Sequence, residues 1–501
     1  MTGIDLSSLA GSDEGLRALQ GLVQAVTEAA RAGARRRPGP VAPGGPVRAA
    51  ERSGDVLRQV LPEEGLTDVQ ALVPLVEAFA WGSVDLASPA TAAFLQCPSL
   101  TVAAAADLVV SAFNQSVDVW DSGPFALELE KSVMAGLCRL VGLPDTATGV
   151  MTPGGSIANL LAVIIARDVR GSALSGIDLT EEGLQAAPYR LRIVCSAEAH
   201  VSVERAVAAA GLGNTAALVV GAGPDGRMTA DAVRTALAGL PADHLPFALL
   251  ATAGTTDLGA VDELPGLAAL ARERGMWLHI DAAYGAGMLF SPRLRPLFTG
   301  IEQADSVTLD WHKFGWQPAS SSVLLLADAR NFDPLSREVP YLNPSDDEEA
   351  GFPNQLGRTL ETTRRADVLK VAASFRHLGR RGMAELIDHC HAMARHAERL
   401  VAAHPKLEAA ASVILTRLVF RYLPERRDLT DEINAGLRRR LLNEGRVVIG
   451  RTVRHIDAVP RIHLKLTLIN PVTTPRDVED LIDAVVRAGE AEECAHQGES
   501  S

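Results

Sequence analysis

A lysine follows an apolar run in the stretch DWHKFGWQP, residues 310–318, where a buried strand is expected to end. This residue is Lys313, with His312 before it and an aromatic residue after it. An amine partly removed from water binds its proton less tightly and becomes a nucleophile towards carbonyl groups. The alternative is a lysine whose stem lies on apolar surface while its ammonium reaches solvent.

Three further stretches place polar residues just after predicted strands. WLHIDAAYGAG ends an apolar run in Asp281, a carboxylate that could keep a ring nitrogen protonated. SAEAHVSVERAV places His200 after LRIVCS, where an imidazole could contact a flat cofactor or carry a proton. ATAGTTDLGAVDEL supplies Thr255, whose hydroxyl could orient a ligand. Helix capping by the aspartate, a structural loop histidine and local turn capping by the threonine remain alternatives.

The stretch TPGGSIANL combines a glycine turn with the start of a helix. Free backbone amides at such a position bind anions, so Gly154, Gly155 and Ser156 could hold a phosphate. An ordinary glycine turn with Ser156 as helix cap is the alternative. A phosphate site, a histidine, an aspartate and a lysine at the carboxyl ends of parallel strands are together what pyridoxal phosphate requires.

Short apolar runs that alternate with helical stretches must position these residues. Several runs are apolar throughout, which is typical of strands covered by helices on both faces. The pattern predicts an α/β fold with a largely parallel sheet, whose ligands bind beyond the carboxyl ends of the strands. The predicted strands are 191–196, 216–220, 247–252, 276–281, 306–310 and 321–327.

The 501 residues are enough for one large core and a smaller appended domain. We predict a helical N-terminal segment over 1–100, which contains a linker rich in proline, glycine and arginine at 31–54. The large cofactor-binding domain is predicted over 101–374 and a small C-terminal α+β domain over 375–490, followed by a disordered tail over 491–501.

Composition argues against several classes of partner. A formal net charge of -13 disfavours nucleic acid and anionic membranes, which leaves a small molecule as the expected partner. The five cysteines are scattered without a C-x-x-C pair, so we expect a reduced cytoplasm and no structural metal. No signal peptide and no apolar run of roughly 20 residues is apparent, so a cytosolic protein is expected.

With these residues in view, the chain resembles the group II pyridoxal-phosphate-dependent amino acid decarboxylases over about residues 75–485. The motifs that carry the resemblance, in the family's order, are GPFALELEKSVM, TPGGSIANL, AEAHVSVERA, ATAGTTDLGAVDEL, WLHIDAAYGAG, DWHK and TTRRADVLK. The stretches FNQSVDVWDSG, FGWQP and YLNPSDDEEAGFPNQLGRTLETTRRAD look most like bacterial 2,4-diaminobutyrate decarboxylases. The resemblance implies the fold type I architecture with a mostly parallel seven-stranded sheet, and a homodimer with shared active sites.

The resemblance also implies a role for each cofactor residue. Lys313 would form the covalent bond with the cofactor, Asp281 would pair with the pyridine nitrogen, and His200 would stack on the ring. The remaining cofactor contacts would be Gly155 and Ser156 at the phosphate, Thr255, His312 beside the lysine, and Ala283 on the ring face opposite His200.

For catalysis, the resemblance places Tyr341 at the family's loop tyrosine, which protonates the carbon after carbon dioxide leaves. His200 is the alternative proton donor. The surrounding loop 328–357 is rich in acids, glycine and proline and suits a lid that excludes water. The presence of Tyr341 argues against oxidative deamination to an aldehyde, which its replacement by phenylalanine would favour. A cofactor-binding regulator without catalysis would be expected to lack Lys313, Asp281 or Tyr341.

Several further residues bear on the choice of substrate. Asp118 and Asp121 precede a helix in the region that lines the family's side-chain pocket, where a carboxylate would suit a distal ammonium group. Arg364 falls where the family has an arginine near the substrate. Surface acids are the alternative for the two aspartates, and Ser88 and Gln96 depart from histidines common in the family. The expected substrate is a diamino acid such as L-2,4-diaminobutyrate, with an aromatic or aliphatic amino acid as the alternative.

Overall fold

The structure is a computed structural model that describes residues 6–57, 60–456 and 459–498. Its chain divides into two compact units, one of Gln96–His389 and one of Met1–Leu95 with Cys390–Ser501. The helices are α1 (Asp13–Arg35), α2 (Gly45–Leu57), α3 (Asp68–Gly82), α4 (Thr101–Phe113), α5 (Pro124–Val141), α6 (Gly155–Ala166), α7 (Ser172–Ser175), α8 (Leu179–Glu182), α9 (Ser202–Ala209), α10 (Ala230–Ala238), α11 (Leu264–Glu273), α12 (Trp311–Phe314), α13 (Ser345–Glu349), α14 (Val368–Ala403), α15 (Thr430–Glu444) and α16 (Pro475–Gly498).

The strands form two sheets, one in each unit. They are β1 (Thr91–Ala92), β2 (Thr148–Thr152), β3 (Arg190–Ser196), β4 (Ala217–Val220), β5 (His244–Thr252), β6 (Trp277–Asp281), β7 (Ser306–Asp310), β8 (Ser322–Leu326), β9 (Leu407–Ala409), β10 (Arg417–Tyr422), β11 (Val448–Ile456) and β12 (Val459–Thr467).

The sheet of unit 96–389 has seven strands in the order β2-β8-β7-β6-β5-β3-β4. Strands β3 to β7 are parallel, whereas β8 runs antiparallel to both β7 and β2. The prediction of an α/β fold with a mostly parallel sheet is therefore confirmed. All residues of β6, β7 and β8 are buried, as expected for strands that are covered on both faces.

Helix α6 packs its apolar side chains against this sheet. Leu161 and Ile165 of the helix lie in one buried cluster with Ile193 of β3, Phe247 of β5 and Trp277 of β6. The helix begins directly after Gly154, whose φ of 116° lies in the region that favours glycine. The start of α6 is thereby fixed at the edge of the sheet where the parallel strands end.

The second unit contains a five-stranded sheet in the order β1-β11-β12-β10-β9, in which β1 is parallel to β11 and the other pairs are antiparallel. Phe420 and Leu466 of the sheet share a buried cluster with Leu437 of α15 and Val485 of α16. The α+β character predicted for the C-terminal part agrees with this arrangement, and residues 1–95 belong to the same unit.

Two predicted irregular segments are largely helical in the structure. Of the predicted linker 31–54, only residues 36–44 lie between α1 and α2. Helix α16 continues through Gly498 into the tail predicted to be disordered over 491–501, of which 499–501 lie outside the described residues. The predicted boundary at 375 falls inside α14, which kinks at Gly379 with a φ of 61°. The linker was predicted from its prolines, glycines and arginines, but Pro38, Pro40 and Pro43 lie between α1 and α2 and interrupt neither helix.

In the described ranges, no helix is both long and apolar enough to cross a membrane. A cluster of three or more potential metal-ligating side chains is likewise not found within them.

Candidate active site

Lys313 lies in the one-turn helix α12, directly after strand β7. Its Nζ is 2.8 Å from Oδ2 of Asp310, and its side chain is 20% exposed. The Oγ of Ser322 donates a hydrogen bond to the other oxygen of Asp310, and Nε2 of His312 lies 3.7 Å from Oδ2. The ammonium of Lys313 is therefore paired with a buried carboxylate and does not simply extend into solvent.

The glycine turn after β2 meets the end of β7. Helix α6 has Gly154 at its N-cap, and no side chain caps its first amides. Ser156 is exposed and does not act as the cap. A Cβ added to Gly155 would lie 2.8 Å from Oδ1 of Asp310, so only glycine permits this approach. The uncapped N-terminus of α6 leaves amide donors available for an anion.

Asp281, the last residue of β6, has a carboxylate held by two N–H donors. The backbone amide of Ala283 donates to Oδ1 at 3.0 Å, and Nδ2 of Asn159 donates to Oδ2 at 2.8 Å. The 3-10 helix that follows begins at Gly285 with Tyr284 as its N-cap, so Asp281 is not its cap. Each carboxylate oxygen keeps a further lone pair that could accept a proton donor from a ring.

A buried chain of hydrogen bonds extends from Asp281 through Asn159 into the sheet. Because a carboxylate only accepts, Asn159 must turn its amide nitrogen to Asp281 and its Oδ1 to Nε2 of His279, 3.1 Å away. Nδ1 of His279 lies 2.8 Å from Oγ of Ser306, which accepts from Nε1 of Trp277 at 2.8 Å. His279 therefore carries its proton on Nε2, and its burial lowers its pKa from 6.5 to about 4.

Sequence reasoning missed this chain, although two signals were available. His279 and Asp281 are two positions apart in β6, so their side chains lie on the same face of the sheet. Asn159 is a buried polar residue within the otherwise apolar start of α6. A buried polar side chain in an apolar element requires a partner, which identifies both residues as candidates.

His200 joins the same network through Ser202. Its Nδ1 lies 2.8 Å from Oγ of Ser202 and accepts the backbone N–H of that residue at 3.2 Å, while Nδ2 of Asn159 donates to the same Oγ at 2.9 Å. Partial burial lowers the pKa of His200. The negative charge of Asp281 partly opposes this shift, and the positive charge of Lys313 adds to it. His200 is exposed, so part of its surface can contact a ligand.

Thr255 is completely buried and closes its own loop. Its Oγ1 accepts the backbone N–H of Ala260 at 3.0 Å, and its backbone N–H donates to the carbonyl of the same residue at 2.8 Å. This is the local role that a turn threonine commonly plays. The hydroxyl proton is not used in these two bonds, so it could still be donated to a ligand.

Asp118 and Asp121, predicted to bind the substrate, differ in their surroundings. Oδ1 of Asp118 accepts from the backbone N–H of Val119 at 2.9 Å and from Oγ of Ser122 at 2.6 Å. Burial raises the pKa of Asp118, but these hydrogen bonds outweigh it and the net shift is downward. Asp121 is exposed. Among the described residues, neither carboxylate is joined to Lys313 by a hydrogen bond or ion pair.

Among the described residues, Arg364 and Tyr341 are likewise not joined to Lys313 by a hydrogen bond or ion pair. Nη1 of Arg364 lies 2.8 Å from Oε1 of Glu130, and its Nη2 donates to Oε1 of Gln355 at 2.8 Å. The two ionic side chains are only 5% and 1% exposed, so this is a buried ion pair. Tyr341 is 83% exposed on the loop before α13. The structure thus assembles the predicted cofactor residues more completely than the predicted substrate residues.

Comparison of the chain with known proteins identifies its family. The model of the pyridoxal-dependent decarboxylase conserved domain matches residues 69–423. The chain belongs to the pyridoxal-dependent decarboxylase family. It is 38% identical to the L-2,4-diaminobutyrate decarboxylase of Rhizobium meliloti over 427 residues, 85% of this chain and 83% of that protein. It is 32% identical to the enzyme of the same name from Acinetobacter baumannii over 442 residues, 85% of each chain.

A solved structure from Vibrio parahaemolyticus is similar over nearly the whole chain. It is the glutamate decarboxylase domain of diaminobutyrate-pyruvate transaminase and L-2,4-diaminobutyrate decarboxylase, with a TM-score of 0.84 and 29% identity over 96% of this chain and 97% of that one. The protein is therefore an amino acid decarboxylase that depends on pyridoxal phosphate and has the architecture of that family's known structures.

The described residues of this decarboxylase fit pyridoxal phosphate. The uncapped N-terminus of α6, at Gly155, offers amide donors of the kind that bind a phosphate. Asp281 is a buried carboxylate with accepting capacity left over, as a protonated ring nitrogen requires. Lys313 supplies the amine, and all three lie at the ends of β6, β7 and the turn after β2.

Proposed function

We propose that this enzyme decarboxylates an L-amino acid with a distal ammonium group, such as L-2,4-diaminobutyrate, to the corresponding amine and carbon dioxide. The observation that carries the proposal is the likeness along most of the chain to two proteins named L-2,4-diaminobutyrate decarboxylase. An aromatic or aliphatic amino acid is the alternative substrate, because Ser88 and Gln96 depart from the family pattern.

In this proposal the residues at the strand ends hold and tune the cofactor. When bound, pyridoxal phosphate supplies an electron sink for the bond that breaks at the substrate carbon. Lys313 would carry it, and Asp281 would keep its ring nitrogen protonated, since Asn159 and Ala283 already stabilise the carboxylate. The further contacts would be Gly155 and Ser156 at the phosphate, His200 and Ala283 on the two ring faces, Thr255 and His312.

Protonation of the substrate carbon completes the reaction. We assign the proton to Tyr341 or His200. Tyr341 lies on the loop 328–357, and its 83% exposure suits a side chain that contacts substrate only when this loop closes. Oxidative deamination to an aldehyde on the same scaffold is the alternative reaction, and the presence of the tyrosine argues against it.

Two of the proposed substrate contacts carry negative charge. Asp118 has a lowered pKa and is ionised near neutral pH, as attraction of a distal ammonium group requires. Asp121 would add a second, exposed carboxylate. A substrate-binding role for Arg364 is also proposed, and it requires the guanidinium to act while it remains paired with Glu130.

We further propose that the enzyme is a cytoplasmic homodimer with shared active sites. Apolar side chains of α4, α5 and the turn between them are exposed in the single chain: Leu108, Val109, Phe113, Trp120 and Phe125. Exposed apolar groups of this kind are typical of a subunit interface. Four of the five cysteines are buried, and none of the five forms a disulfide, which suits a reducing compartment. Sedimentation of the wild type and of Phe125→Glu tests the dimer, because the charge should shift the enzyme towards the monomer.

Carbon dioxide release from a panel of L-amino acids tests the substrate: 2,4-diaminobutyrate, ornithine, lysine, tyrosine, glutamate and valine. We expect turnover of 2,4-diaminobutyrate above all others. Asp118→Asn keeps the hydrogen-bond acceptor for Val119 and Ser122, so its loss of charge should raise KM for the diamino acid about tenfold. Asp121→Asn removes the second proposed carboxylate and should raise KM less, because the charge of an exposed group is screened by solvent. Inactivity of every basic amino acid with turnover of an apolar one would refute the proposed substrate class.

A further inference from the structure

Asp310 is a buried carboxylate at the point where the phosphate site is proposed. The residue is 2% exposed and ends strand β7. Its two oxygens lie 2.8 and 3.0 Å from the position of a Cβ built on Gly155, the first residue of α6. The carboxylate therefore packs against the same helix N-terminus whose amides are proposed to bind the cofactor's phosphate.

Two negative groups at one helix N-terminus oppose each other. A phosphate monoester carries about two negative charges at neutral pH. At a few ångströms from a carboxylate, in surroundings with little water, such a group is strongly repelled. We infer that Asp310 opposes the binding of the cofactor's phosphate and so limits how tightly this enzyme holds its cofactor. The inference rests on the proposed phosphate site at Gly155 and Ser156.

The groups that face Asp310 strengthen this inference. Lys313 is the one ammonium in contact with the carboxylate among the described residues, at 2.8 Å. His312 approaches it at 3.7 Å, and Ser322 donates a neutral hydrogen bond. The negative charge of Asp310 also acts on His200, whose pKa it raises. The contact leaves Asp310 and Lys313 together without net charge, whereas removal of the carboxylate charge would leave the positive charge of Lys313 free to attract a phosphate.

Binding of two cofactor analogues to the cofactor-free, full-length chain isolates this effect. Pyridoxine phosphate and pyridoxine both lack the aldehyde and cannot react with Lys313, and they differ only in the phosphate. We expect Asp310→Asn to increase the affinity for pyridoxine phosphate about tenfold and to change that for pyridoxine less than about twofold. Isothermal titration calorimetry measures both affinities without any turnover.

Ser322→Ala is the matched control, because it removes a hydrogen bond to the same carboxylate and leaves the charge. Its ratio of the two affinities should stay within about twofold of the wild type. Should Asp310→Asn fold poorly by circular dichroism, Asp310→Ser removes the same charge. An unchanged or lower affinity of the charge-removing variant for pyridoxine phosphate overturns the inference.

Ser156→Ala separates this inference from the proposed phosphate site. Suppose that Ser156→Ala lowers the affinity for pyridoxine phosphate and that Asp310→Asn does not raise it. The phosphate site then stands and the inference about Asp310 is wrong. If neither variant changes the ratio of affinities, the phosphate does not bind at this turn, and both proposals are wrong.

Discussion

The cofactor edge of the seven-stranded sheet and the loop 328–357 are built in opposite ways. At the cofactor edge, Asp281 is 7% exposed and fixed by Asn159 and Ala283, and Lys313 is paired with Asp310. On the loop, Tyr341 is 83% exposed, and α13 has no buried residue. One region is defined by side chains that hydrogen-bond within the core, whereas the middle of the other, from Tyr341 through α13, consists largely of exposed residues.

This difference shows which residues the fold of a single chain holds in place and which it leaves mobile. The positions of Asp281 and Asp310 follow from the ends of strands β6 and β7, whose neighbours hold them on both sides. Tyr341 has no such support, because exposed segments with few buried contacts open and close at low free-energy cost. The cofactor edge is thus preorganised, whereas the proposed role of Tyr341 would require loop closure or a second subunit.

The largest expected effect belongs to the preorganised edge. Asp281→Asn keeps the shape but loses the charge that would hold the ring nitrogen protonated, so we expect kcat to fall about 1000-fold at saturating cofactor. Asp305→Asn is the matched control, because Asp305 is also largely buried and accepts the backbone N–H of Leu278 at the other end of β6. Carbon dioxide release measures both. Retention of more than about a tenth of the activity by Asp281→Asn would contradict its role.

Arg364 is predicted to bind the substrate, but its buried ion pair suggests that it stabilises the fold. Removal of one partner from a buried ion pair leaves the other charge uncompensated, so Arg364→Met should lower the free energy of unfolding by about 3–5 kcal/mol. The neighbouring Arg365 pairs with Asp107 through a side chain that is 39% exposed, and Arg365→Met should cost less than about 1 kcal/mol. Urea unfolding measures both. Unchanged stability of Arg364→Met with a raised KM would instead place the arginine at the substrate.

Tyr341→Phe should affect catalysis without affecting the fold. Loss of the proton donor is expected to lower the rate of amine formation about 100-fold. Because the side chain is 83% exposed, the free energy of unfolding should change by less than about 0.5 kcal/mol. Product analysis distinguishes amine from aldehyde, and Tyr189→Phe, which is 44% exposed, controls for the loss of a hydroxyl. Full activity of Tyr341→Phe would assign the proton to another group, with His200 as the first candidate.

The sequence predicted the strands of the large sheet because their signal is local. Runs such as 247–251 are short and apolar without interruption, which is the pattern of buried parallel strands. Strand β2 was missed, since TGVMT is an edge strand of mixed residues that pairs only with β8. The tail was predicted to be disordered from its composition, yet its residues 491–498 continue α16, whose earlier turns bury Val478, Ile482 and Val485 in their own unit.

The candidate site was predictable where motifs end strands and not where partners are distant in sequence. Lys313 and Asp281 follow apolar runs and could be found directly. The bond from Asn159 to Asp281 joins residues 122 positions apart, and Arg364 meets Glu130 across 234 positions. Such contacts arise from tertiary packing of α6 against β6 and of the 364 region against α5, which no local pattern encodes.

The buried chain behind Asp281 gives the smallest and most specific prediction. The pKa of His279 is lowered to about 4 by burial, whereas the unfolded chain keeps a value near 6.5. Between these values the unfolded state binds a proton that the folded state does not, so stability falls as pH falls from about 6.5 towards 4. The slope from this residue approaches about 1.4 kcal/mol per pH unit.

His279→Gln should remove this slope and keep the fold. The amide nitrogen of glutamine can donate to Asn159 in place of Nε2, so the hydrogen bond that orients Asn159 towards Asp281 is retained. We expect the free energy of unfolding of the variant to fall less steeply with acidification than that of the wild type, and His377→Gln, at an exposed position, to leave the slope unchanged. Urea unfolding at several pH values measures this difference. Equal slopes for wild type and His279→Gln would mean that His279 also binds a proton in the folded state, and the preorganisation of Asp281 would then not depend on a neutral histidine.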